Sequence, residues 1–346
     1  MIAGQELRRP QGQGADRRLR VLQQPDLAVQ AGTAPVYDSQ GRLVASRETP
    51  ARIRRIAAGL GAADRHAVPA PWSMLRLMEA LHRVHDPAML AYLRHLSGEC
   101  PEGGSVMARA FQTPGTEFPT TVEPATWDEA LTAAQVTLQA ADLLARRECD
   151  LTYALVRPPG HHAGRDFFGA YCFINNAAVA ARHLQAVHHR RPAVLDLDYH
   201  AGDGTMDCLA GTAEIGFASI HRSTAEAYPY CPELRAQAGH QWMFGLGGDV
   251  GAERYLATLD HALSRLAGQG ADCLIVSIGY DIVAGDPHGG WTLPPDIFRA
   301  IGRRLGAMSL PLLMVQEGGY GEAALTDCAA ALVAGLQDKE ENDGLR

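Results

Sequence analysis

Two short segments of the sequence contain side chains that bind divalent metals. Asp196, Asp198 and His200 occupy alternate positions, and alternate residues of an extended strand point to the same face. Two carboxylates and an imidazole this close suit a divalent metal, although a hydrogen-bond network at a strand end would also explain them. Asp281, in the second segment, would complete a set of two aspartates and one histidine. Three protein ligands leave a position open for water and substrate, as catalytic zinc requires, and the oxygen-rich set also admits iron(II).

Two other segments carry groups that could act beside such a metal. His161 and His162 are adjacent in a turn rich in proline and glycine. Asp196 and Asp203 could each pair with one imidazole and fix its tautomer and basicity, so that one imidazole removes a proton from water. Tyr320 follows two glycines, and its hydroxyl could donate to a developing oxyanion. Taken singly, the histidine pair is also typical of a surface turn, and the tyrosine of a buried core.

The polar segments follow apolar runs that predict strands. Strands are predicted at 152–156, 193–198, 214–220, 272–278 and 311–316, and helices between them at 175–188, 253–267 and 295–308. Continuous apolar strands separated by helices predict an α/β fold, with a mostly parallel central sheet that is covered on both faces. Ligand sites in such sheets lie at the carboxyl ends of the strands, which is where the polar segments fall.

The first half of the chain has a less regular pattern. Residues 1–30 are rich in glutamine, arginine and glycine, a composition that predicts a poorly ordered segment. A short strand is predicted near Val36, and helices at 50–62, 73–97 and 127–147, the last with Thr126 as its N-cap. Loop 98–126 is dominated by glycine, proline and threonine, and a loop of this length is usually functional or disordered.

Composition limits the class and location of the protein. The 346 residues, of which 47% are hydrophobic, provide an ample core and exclude a disulfide-stabilised miniprotein or a fibrous repeat. A net charge of -8 gives no basic footprint for nucleic acid. Seven cysteines with no CxxC spacing favour a reducing compartment. The sequence has no apolar N-terminal signal and no run of about eighteen apolar residues, so we expect a soluble cytoplasmic protein without membrane contact.

Five segments, taken together and in this order, resemble the histone deacetylase and acetylpolyamine amidohydrolase superfamily. They are Arg157-Pro-Pro-Gly-His-His-Ala163, Tyr171 to Ala177, Asp196 to Thr205, Ser277 to Pro287 and Glu317-Gly-Gly-Tyr320. The resemblance covers roughly residues 33–336 and is closest to the acetylpolyamine and class II-like branch, because of Glu317 and the segment Tyr228-Pro-Tyr230. It implies an arginase-like, three-layer α/β/α fold and a single catalytic domain over residues 31–340.

The resemblance also implies a role for each polar side chain. The catalytic metal, zinc or alternatively iron(II), would be held by Asp198, His200 and Asp281. A structural potassium ion behind it would be held in part by Asp196, Asp198, His200 and Ser219. His162 would be the general base with support from Asp203, and Asp196 would support His161. Tyr320 would polarise the acyl oxygen opposite the metal.

The implied reaction is hydrolysis of an acylated amine, such as an acetylpolyamine or another small acetylated molecule. Tyr171 would line the substrate channel, and His288 lies where substrate-selecting residues occur in the family. Glu117, on loop 98–126, would be a rim acid for a cationic substrate. That loop would restrict the entrance or build a dimer contact, as in bacterial relatives, so we expect a homo-oligomer.

Three alternatives remain open from the sequence. The substrate could be an acetyl-lysine side chain of a protein. A ureohydrolase of the arginase type shares the fold but would use two metals with different Asp/His spacing. A non-catalytic relative could bind acyl-amines without turnover, because Ala201 stands where the family usually has a second histidine; Ile278, where the family usually has alanine, only adds bulk next to the site.

Overall fold

A wholly parallel sheet forms the centre of the computed structural model, which describes residues 19–24, 34–37, 41–61, 64–66, 72–114 and 120–338. The strands are β1 Arg20–Gln23, β2 Val36–Tyr37, β3 Leu43–Val44, β4 Asp64–His66, β5 Val106–Met107, β6 Thr121–Val122, β7 Leu151–Leu155, β8 Pro192–Asp196, β9 Gly216–Arg222, β10 Gln241–Leu246, β11 Cys273–Ile278 and β12 Leu312–Gln316. In the described part of the chain, eight of them form this sheet in the order β10-β9-β8-β11-β12-β7-β1-β4. The short antiparallel pairs β2–β3 and β5–β6 lie outside it.

Helices cover both faces of the sheet. They are α1 Pro50–Gly59, α2 Met74–His82, α3 Pro87–Glu99, α4 Thr126–Ala145, α5 Asn176–His188, α6 Asp203–Leu209, α7 Ala252–Gly268, α8 Ile297–Ala307 and α9 Glu322–Gln337. One core layer contains the apolar sides of α1, α7, α8 and α9, and the other contains those of α2 to α6. In β7, Tyr153 and Leu155 enter the first layer and Ala154 enters the second, because alternate strand residues face opposite sides.

The predicted three-layer α/β/α architecture is therefore confirmed. The five predicted strands correspond to β7, β8, β9, β11 and β12, and the predicted helices after residue 174 correspond to α5, α7 and α8. Neighbouring strands end in register, so that Asp196 lies beside Ser219 of β9 on one side and Ser277 of β11 on the other. The polar segments therefore meet at the carboxyl edge of β8, β11 and β12.

The prediction that residues 1–30 are poorly ordered is wrong for Arg20–Gln23. These residues form β1, which pairs in parallel with β7 and β4, and the side chains of Val21 and Leu22 are buried on opposite faces. The local composition is polar, but two neighbouring strands supply hydrogen bonds and burial. The central sheet therefore includes residues before position 31, where the predicted catalytic domain begins. Residues 1–18 and 25–30 lie outside the described part of the chain.

The predicted helix 73–97 is two helices, because the chain turns between His82 and Pro87. Pro87 is the first residue of α3, and the Asp86 side chain accepts a hydrogen bond of 2.7 Å from the backbone N–H of Ala88. Proline fits the first turn of a helix but interrupts one that is already formed. Thr126 is not the N-cap of α4, which is Ala125. The Thr126 hydroxyl instead accepts from the backbone N–H of Glu123 at 2.9 Å.

Candidate active site

The three predicted metal ligands converge just beyond the ends of β8 and β11. Asp198 and His200 follow β8, and Asp281 follows β11, its neighbour in the sheet. Nδ1 of His200 lies 3.1 Å from Oδ1 of Asp198 and 3.2 Å from Oδ2 of Asp281. Ligand atoms of all three side chains lie within 4.8 Å of one another, a spacing that one metal ion can bridge.

The backbone holds both carboxylates so that one oxygen of each faces His200. Oδ2 of Asp198 accepts a hydrogen bond from the Gly318 N–H, and Oδ1 of Asp281 accepts one from the Tyr199 N–H, both at 2.9 Å. Oδ2 of Asp281 is buried and has no hydrogen-bond partner among the described residues, although it lies beside the His200 ring. A buried carboxylate oxygen without a donor is destabilising. The donor set therefore fits a divalent cation.

Close backbone approach is needed around these ligands. A Cβ added at Gly279 would lie 2.2 Å from Oδ2 of Asp198, and one added at Gly318 would lie 2.5 Å from the same atom. Any side chain at either position would displace the carboxylate. The two glycines are therefore part of the site, because only glycine lets the backbone pass this close.

Burial and mutual repulsion set the charges of the two carboxylates. Burial, with the negative charge of Asp198, raises the pKa of Asp281 to about 7. Burial also opposes ionisation of Asp198, but the charge of His161 and hydrogen bonds from His200 outweigh it and hold its pKa well below the ordinary value. Burial likewise opposes protonation of His200, yet its contacts with Asp198 and Asp281 raise its pKa to about 10. These carboxylates attract positive charge to the position between them.

His161 and His162 each face the carboxylate expected from the sequence. Nδ1 of His161 lies 3.0 Å from Asp196, and Nδ1 of His162 lies 2.6 Å from Asp203. The two rings lie 4.0 Å apart between centroids and are tilted by 40°, and the His162 ring is 5.9 Å from that of His200. The pairing fixes which ring nitrogen of each histidine remains for chemistry, namely Nε2.

The two histidines differ in charge because their neighbours differ. Burial disfavours protonation of His161, but the charges of Asp198 and Asp196 outweigh it and raise its pKa well above the ordinary value. Burial, together with the positive charges of His161 and His200, lowers the pKa of His162 well below that value. Burial also raises the pKa of Asp203 to about 7. His162 is thus the neutral imidazole of the pair and can accept a proton.

Glu317 holds the turn that carries the histidine pair, a role that the sequence did not reveal. Its Oε2 accepts hydrogen bonds from the backbone N–H groups of Gly160 at 2.7 Å and His161 at 3.1 Å. Its Oε1 accepts from the Ser277 hydroxyl at 3.0 Å. The acidic first residue of the segment Glu317-Gly-Gly-Tyr320 was the available signal, because a charged residue directly after a buried strand needs a partner.

Tyr320 is positioned by its backbone and by a buried arginine. The N–H groups of Tyr320 and Gly321 both donate to Oδ2 of Asp286, at 2.5 and 2.7 Å. The Arg52 guanidinium lies 4.3 Å from the centre of the Tyr320 ring, and its Nε–H donates to the Gly319 carbonyl. Burial raises the pKa of Tyr320 well above its ordinary value, so the phenol remains a hydrogen-bond donor.

Aromatic rings lie against Tyr320 and His162. The Tyr171 and His288 rings lie 5.8 and 4.7 Å from the Tyr320 ring, so the structure brings two of the three predicted substrate residues together. Glu117, the third, lies outside the described residues. Tyr228 packs edge-on against His162 at 4.6 Å, and the sequence analysis assigned it no role in the site.

The predicted structural cation would lie on the other side of the ligand segment. Asp196 and Ser219 are neighbours in adjacent strands, and Ser219 accepts a hydrogen bond from the Gly202 N–H at 3.3 Å. Oδ1 of Asp196 accepts from the Asp198 N–H at 3.1 Å. A potassium ion held by these residues stays a prediction.

Aspartates, histidines and a tyrosine gathered around one candidate metal position at the carboxyl edge of a parallel sheet suit metal-assisted hydrolysis. The histone deacetylase domain matches residues 46–336, and the chain therefore belongs to the histone deacetylase family. Membership in this family makes the protein a metal-dependent deacetylase. No helix among the described residues has the length and apolar character needed to cross a membrane.

Bacterial acetylpolyamine amidohydrolases are among the most similar proteins. The chain is 33% identical over 329 residues to the acetylpolyamine amidohydrolase of Mycoplana ramosa, an alignment covering 88% of this chain and 95% of the relative. It is 33% identical over 327 residues to acetylpolyamine amidohydrolase 1 of Pseudomonas aeruginosa, covering 86% and 93%. The crystal structure of the acetylpolyamine aminohydrolase from Burkholderia pseudomallei superposes with a TM-score of 0.80 at 28% identity, covering 92% of this chain and 98% of that one.

Proposed function

We propose that the protein is a zinc-dependent amidohydrolase that removes the acetyl group from a small acylated amine, such as an acetylpolyamine. One observation carries the proposal: the imidazole of His162, paired with Asp203, lies beside the convergent ligands Asp198, His200 and Asp281. The names of the relatives point to acetylpolyamines as the substrate class. Zinc suits the three-ligand set, with iron(II) as the alternative.

The residues around the ligand set divide the work of amide hydrolysis. A divalent metal held there would polarise the acyl carbonyl and lower the pKa of water. His162 accepts the proton of the attacking water at Nε2, because its Nδ1 faces Asp203. As the water oxygen adds to the carbonyl carbon, the Tyr320 hydroxyl donates a hydrogen bond to the developing oxyanion.

Collapse of the tetrahedral species breaks the C–N bond and requires a proton for the departing amine. The histidine pair supplies it, since His162 now carries the proton taken from water and His161 is held in its protonated form by Asp196 and Asp198. Acetate and the free amine are the products. The two imidazoles therefore act as a pair whose charges are kept different by their surroundings.

Substrate contact is assigned to the aromatic wall and the entrance. Tyr171 lines the channel, and the buried Nε2 of His288 has no hydrogen-bond partner in the described part of the chain, so it is available to a polar group of the substrate. Glu117 would offer a negative charge at the rim to a cationic amine. We further propose that loop 98–126 contributes to a dimer contact or to the entrance, and that a structural potassium ion binds at Asp196 and Ser219.

The cellular setting is part of the same proposal. All seven cysteines are free thiols, which suits a reducing cytoplasm.

A paired substrate screen tests the proposed function. Zinc-loaded protein would be assayed for acetate release from acetylated polyamines and from acetyl-lysine peptides, with the Tyr320→Phe variant as the inactive control. We expect the wild-type protein to release acetate from the acetylpolyamines and the Tyr320→Phe variant to release almost none. Turnover of the peptides alone would overturn the small-amine assignment. Binding of acyl-amines without release would instead support a non-catalytic relative.

A further inference from the structure

A second cluster of metal-binding side chains lies where α4 meets the end of α5. Nε2 of His183 and Nε2 of His188 lie 2.7 and 2.8 Å from the same atom, Oδ1 of Asp142. The ligand atoms of the three residues lie within 4.8 Å of one another. Asn176 begins α5 at the active site and His188 ends it, and twelve residues of helix span about 18 Å, so the cluster is a separate place in the molecule.

We propose that Asp142, His183 and His188 form a second site for a divalent transition metal, with zinc as its expected occupant. Two imidazole nitrogens and one carboxylate oxygen are a zinc ligand set, and water would complete a tetrahedron. Zinc bonds of about 2.0–2.1 Å hold ligand atoms about 3.3 Å apart, so the contacts need to open by roughly half an ångström. His188 is the side chain that can move by this distance, because it is the last residue of α5 and its side chain is 22% exposed.

The other groups around Asp142 are arranged as supports for a ligand. Arg76 and Arg146 both contact Oδ2, at 3.1 and 3.0 Å, and leave Oδ1 to the imidazoles. A carboxylate that binds a metal through one oxygen commonly accepts hydrogen bonds on the other. The Trp72 ring packs against His183 at 5.1 Å between centroids, and the Arg76 guanidinium covers that Trp72 ring at 3.5 Å.

Two of the three ligands belong to neighbouring helices and are buried: Asp142 lies in α4 and His183 in α5, and both side chains are almost fully covered. A metal bound here would join α4 to α5 and, through Trp72 and Arg76, to the start of α2. The site would therefore stabilise the fold at a distance from the reaction.

Zinc counting on the full-length protein tests the second site. Each variant would be equilibrated with zinc chloride, freed of excess metal, and analysed for zinc per chain by mass spectrometry. We expect two equivalents in the wild type and one in His188→Ala, which keeps its deacetylase activity, while His95→Gln, which changes an exposed histidine of α3, keeps two. Equal zinc in wild type and His188→Ala would overturn the proposal.

A second variant and a stability measurement distinguish loss of the metal site from misfolding. They also show which of the two sites has lost its zinc. Asp142→Asn should lose the same equivalent, whereas Asp281→Ala should lose the other one and keep the zinc of this cluster. Added zinc should raise the melting temperature of Asp281→Ala and leave that of Asp281→Ala/His188→Ala unchanged. One equivalent in the wild type and none in His188→Ala would support this site while contradicting zinc at the active site. If the single variant Asp281→Ala bound no zinc at all, the second site would be ruled out.

Discussion

Tyr320 contributes a neutral phenol to the active site, held by Asp286 through the backbone and by Arg52 over its ring. Tyr320→Phe removes one hydrogen-bond donor and keeps the ring. We expect kcat to fall by about 100- to 1,000-fold, because the lost bond is formed to the oxyanion of the transition state. KM should change little.

Steady-state kinetics on the best substrate of the screen check this prediction. Tyr37→Phe, which removes a hydroxyl in the β2–β3 pair, is the matched control and should keep wild-type rates. A Tyr320→Phe enzyme with normal kcat would remove the hydroxyl from the mechanism.

Glu317 should act through His161 without touching the substrate. Glu317→Gln places an amide N–H₂ where a carboxylate oxygen accepts from the N–H groups of Gly160 or His161, or from the Ser277 hydroxyl. With its oxygen toward the two N–H groups, the amide donates to the Ser277 hydroxyl, which turns to accept, but the charge of the acceptor is lost. The turn that carries His161 is then held less firmly, and we expect kcat to fall roughly 10- to 100-fold.

The variant is identified by a fall in kcat at constant KM and constant zinc content, together with a displaced pH profile of kcat. Glu253→Gln, on the exposed surface of α7, provides the comparison. A lower rate explained wholly by lost zinc or by unfolding would show that Glu317 is structural.

The sequence pointed to the proposed metal ligands more directly than to two of the side chains that lie against the histidine pair. Asp198, His200 and Asp281 stand in recognisable segments, and their neighbours in the chain reveal them. Glu317 and Tyr228 touch the histidine pair from positions far along the chain, and only the packing of the sheet and its loops brings them there. Their side chains carry no local pattern that identifies a partner more than sixty residues away.

Among the elements, α5 is tied to the active site through its N-cap residue, Asn175. The Asn175 side chain accepts from the Ala178 N–H at 2.9 Å, which caps the helix, and donates to the Ala163 carbonyl at 2.9 Å, next to His162. Asn175→Ala removes the cap and leaves the buried Ala163 carbonyl with only the weak donor of the Cys208 thiol. We expect the free energy of unfolding to fall by about 2–3 kcal/mol.

Urea denaturation checks this value against Ser73→Ala, which removes the exposed cap of α2 and no interior bond. The Ser73 variant should lose only about 1 kcal/mol. Equal losses in both variants would mean that the bond from Asn175 to Ala163 contributes nothing to stability.

Two strands of the central sheet that the sequence missed, β10 and β1, lack the pattern of a central strand. Strand β10 lies at the edge of the sheet with most of its side chains partly exposed, so it lacks the continuous apolar run of a central strand. Strand β1 is four residues long and lies in a polar segment, and its burial comes from β7 and β4. The sequence pattern predicts a strand when both of its faces are covered and its side chains are apolar, as in the central strands. It does not predict a partly exposed edge strand or a short strand within a polar segment.

At the scale of the whole molecule, stability should depend on buried neutral histidines. His85 bridges two segments: its Nδ1–H donates to the Gly164 carbonyl at 2.8 Å, and its Nε2 accepts from the Asn175 N–H at 3.0 Å. Both ring nitrogens are engaged, so a second proton would break the contact with Asn175. Burial lowers the pKa of His85 to about 4. Burial also lowers the pKa of a second histidine, His221, to about 4.

The sign of the pH effect follows from these values. An unfolded histidine takes up a proton below pH 6.5, whereas native His85 stays neutral down to about pH 4. The stabilisation is therefore complete above pH 6.5 and is lost as the pH falls toward 4. Between pH 7 and pH 5, His85 alone should remove about 2 kcal/mol from the free energy of unfolding. His85→Gln cannot titrate, so it should be less stable at pH 7 but lose that much less on acidification.

Urea unfolding at pH 7, 6 and 5 measures the difference, with His82→Gln on the exposed side of α2 as the matched loss of a histidine. The wild type and the His82 variant should show the steeper decline, and the His85 variant the shallower one. Parallel pH dependence in all three proteins would mean that the native state accepts a proton at His85 as readily as the unfolded chain. In that event the native state would tolerate a charged His85 imidazole between Gly164 and Asn175. The hydrogen bond that Nε2 accepts from the Asn175 N–H would then not be what fixes the tautomer of His85.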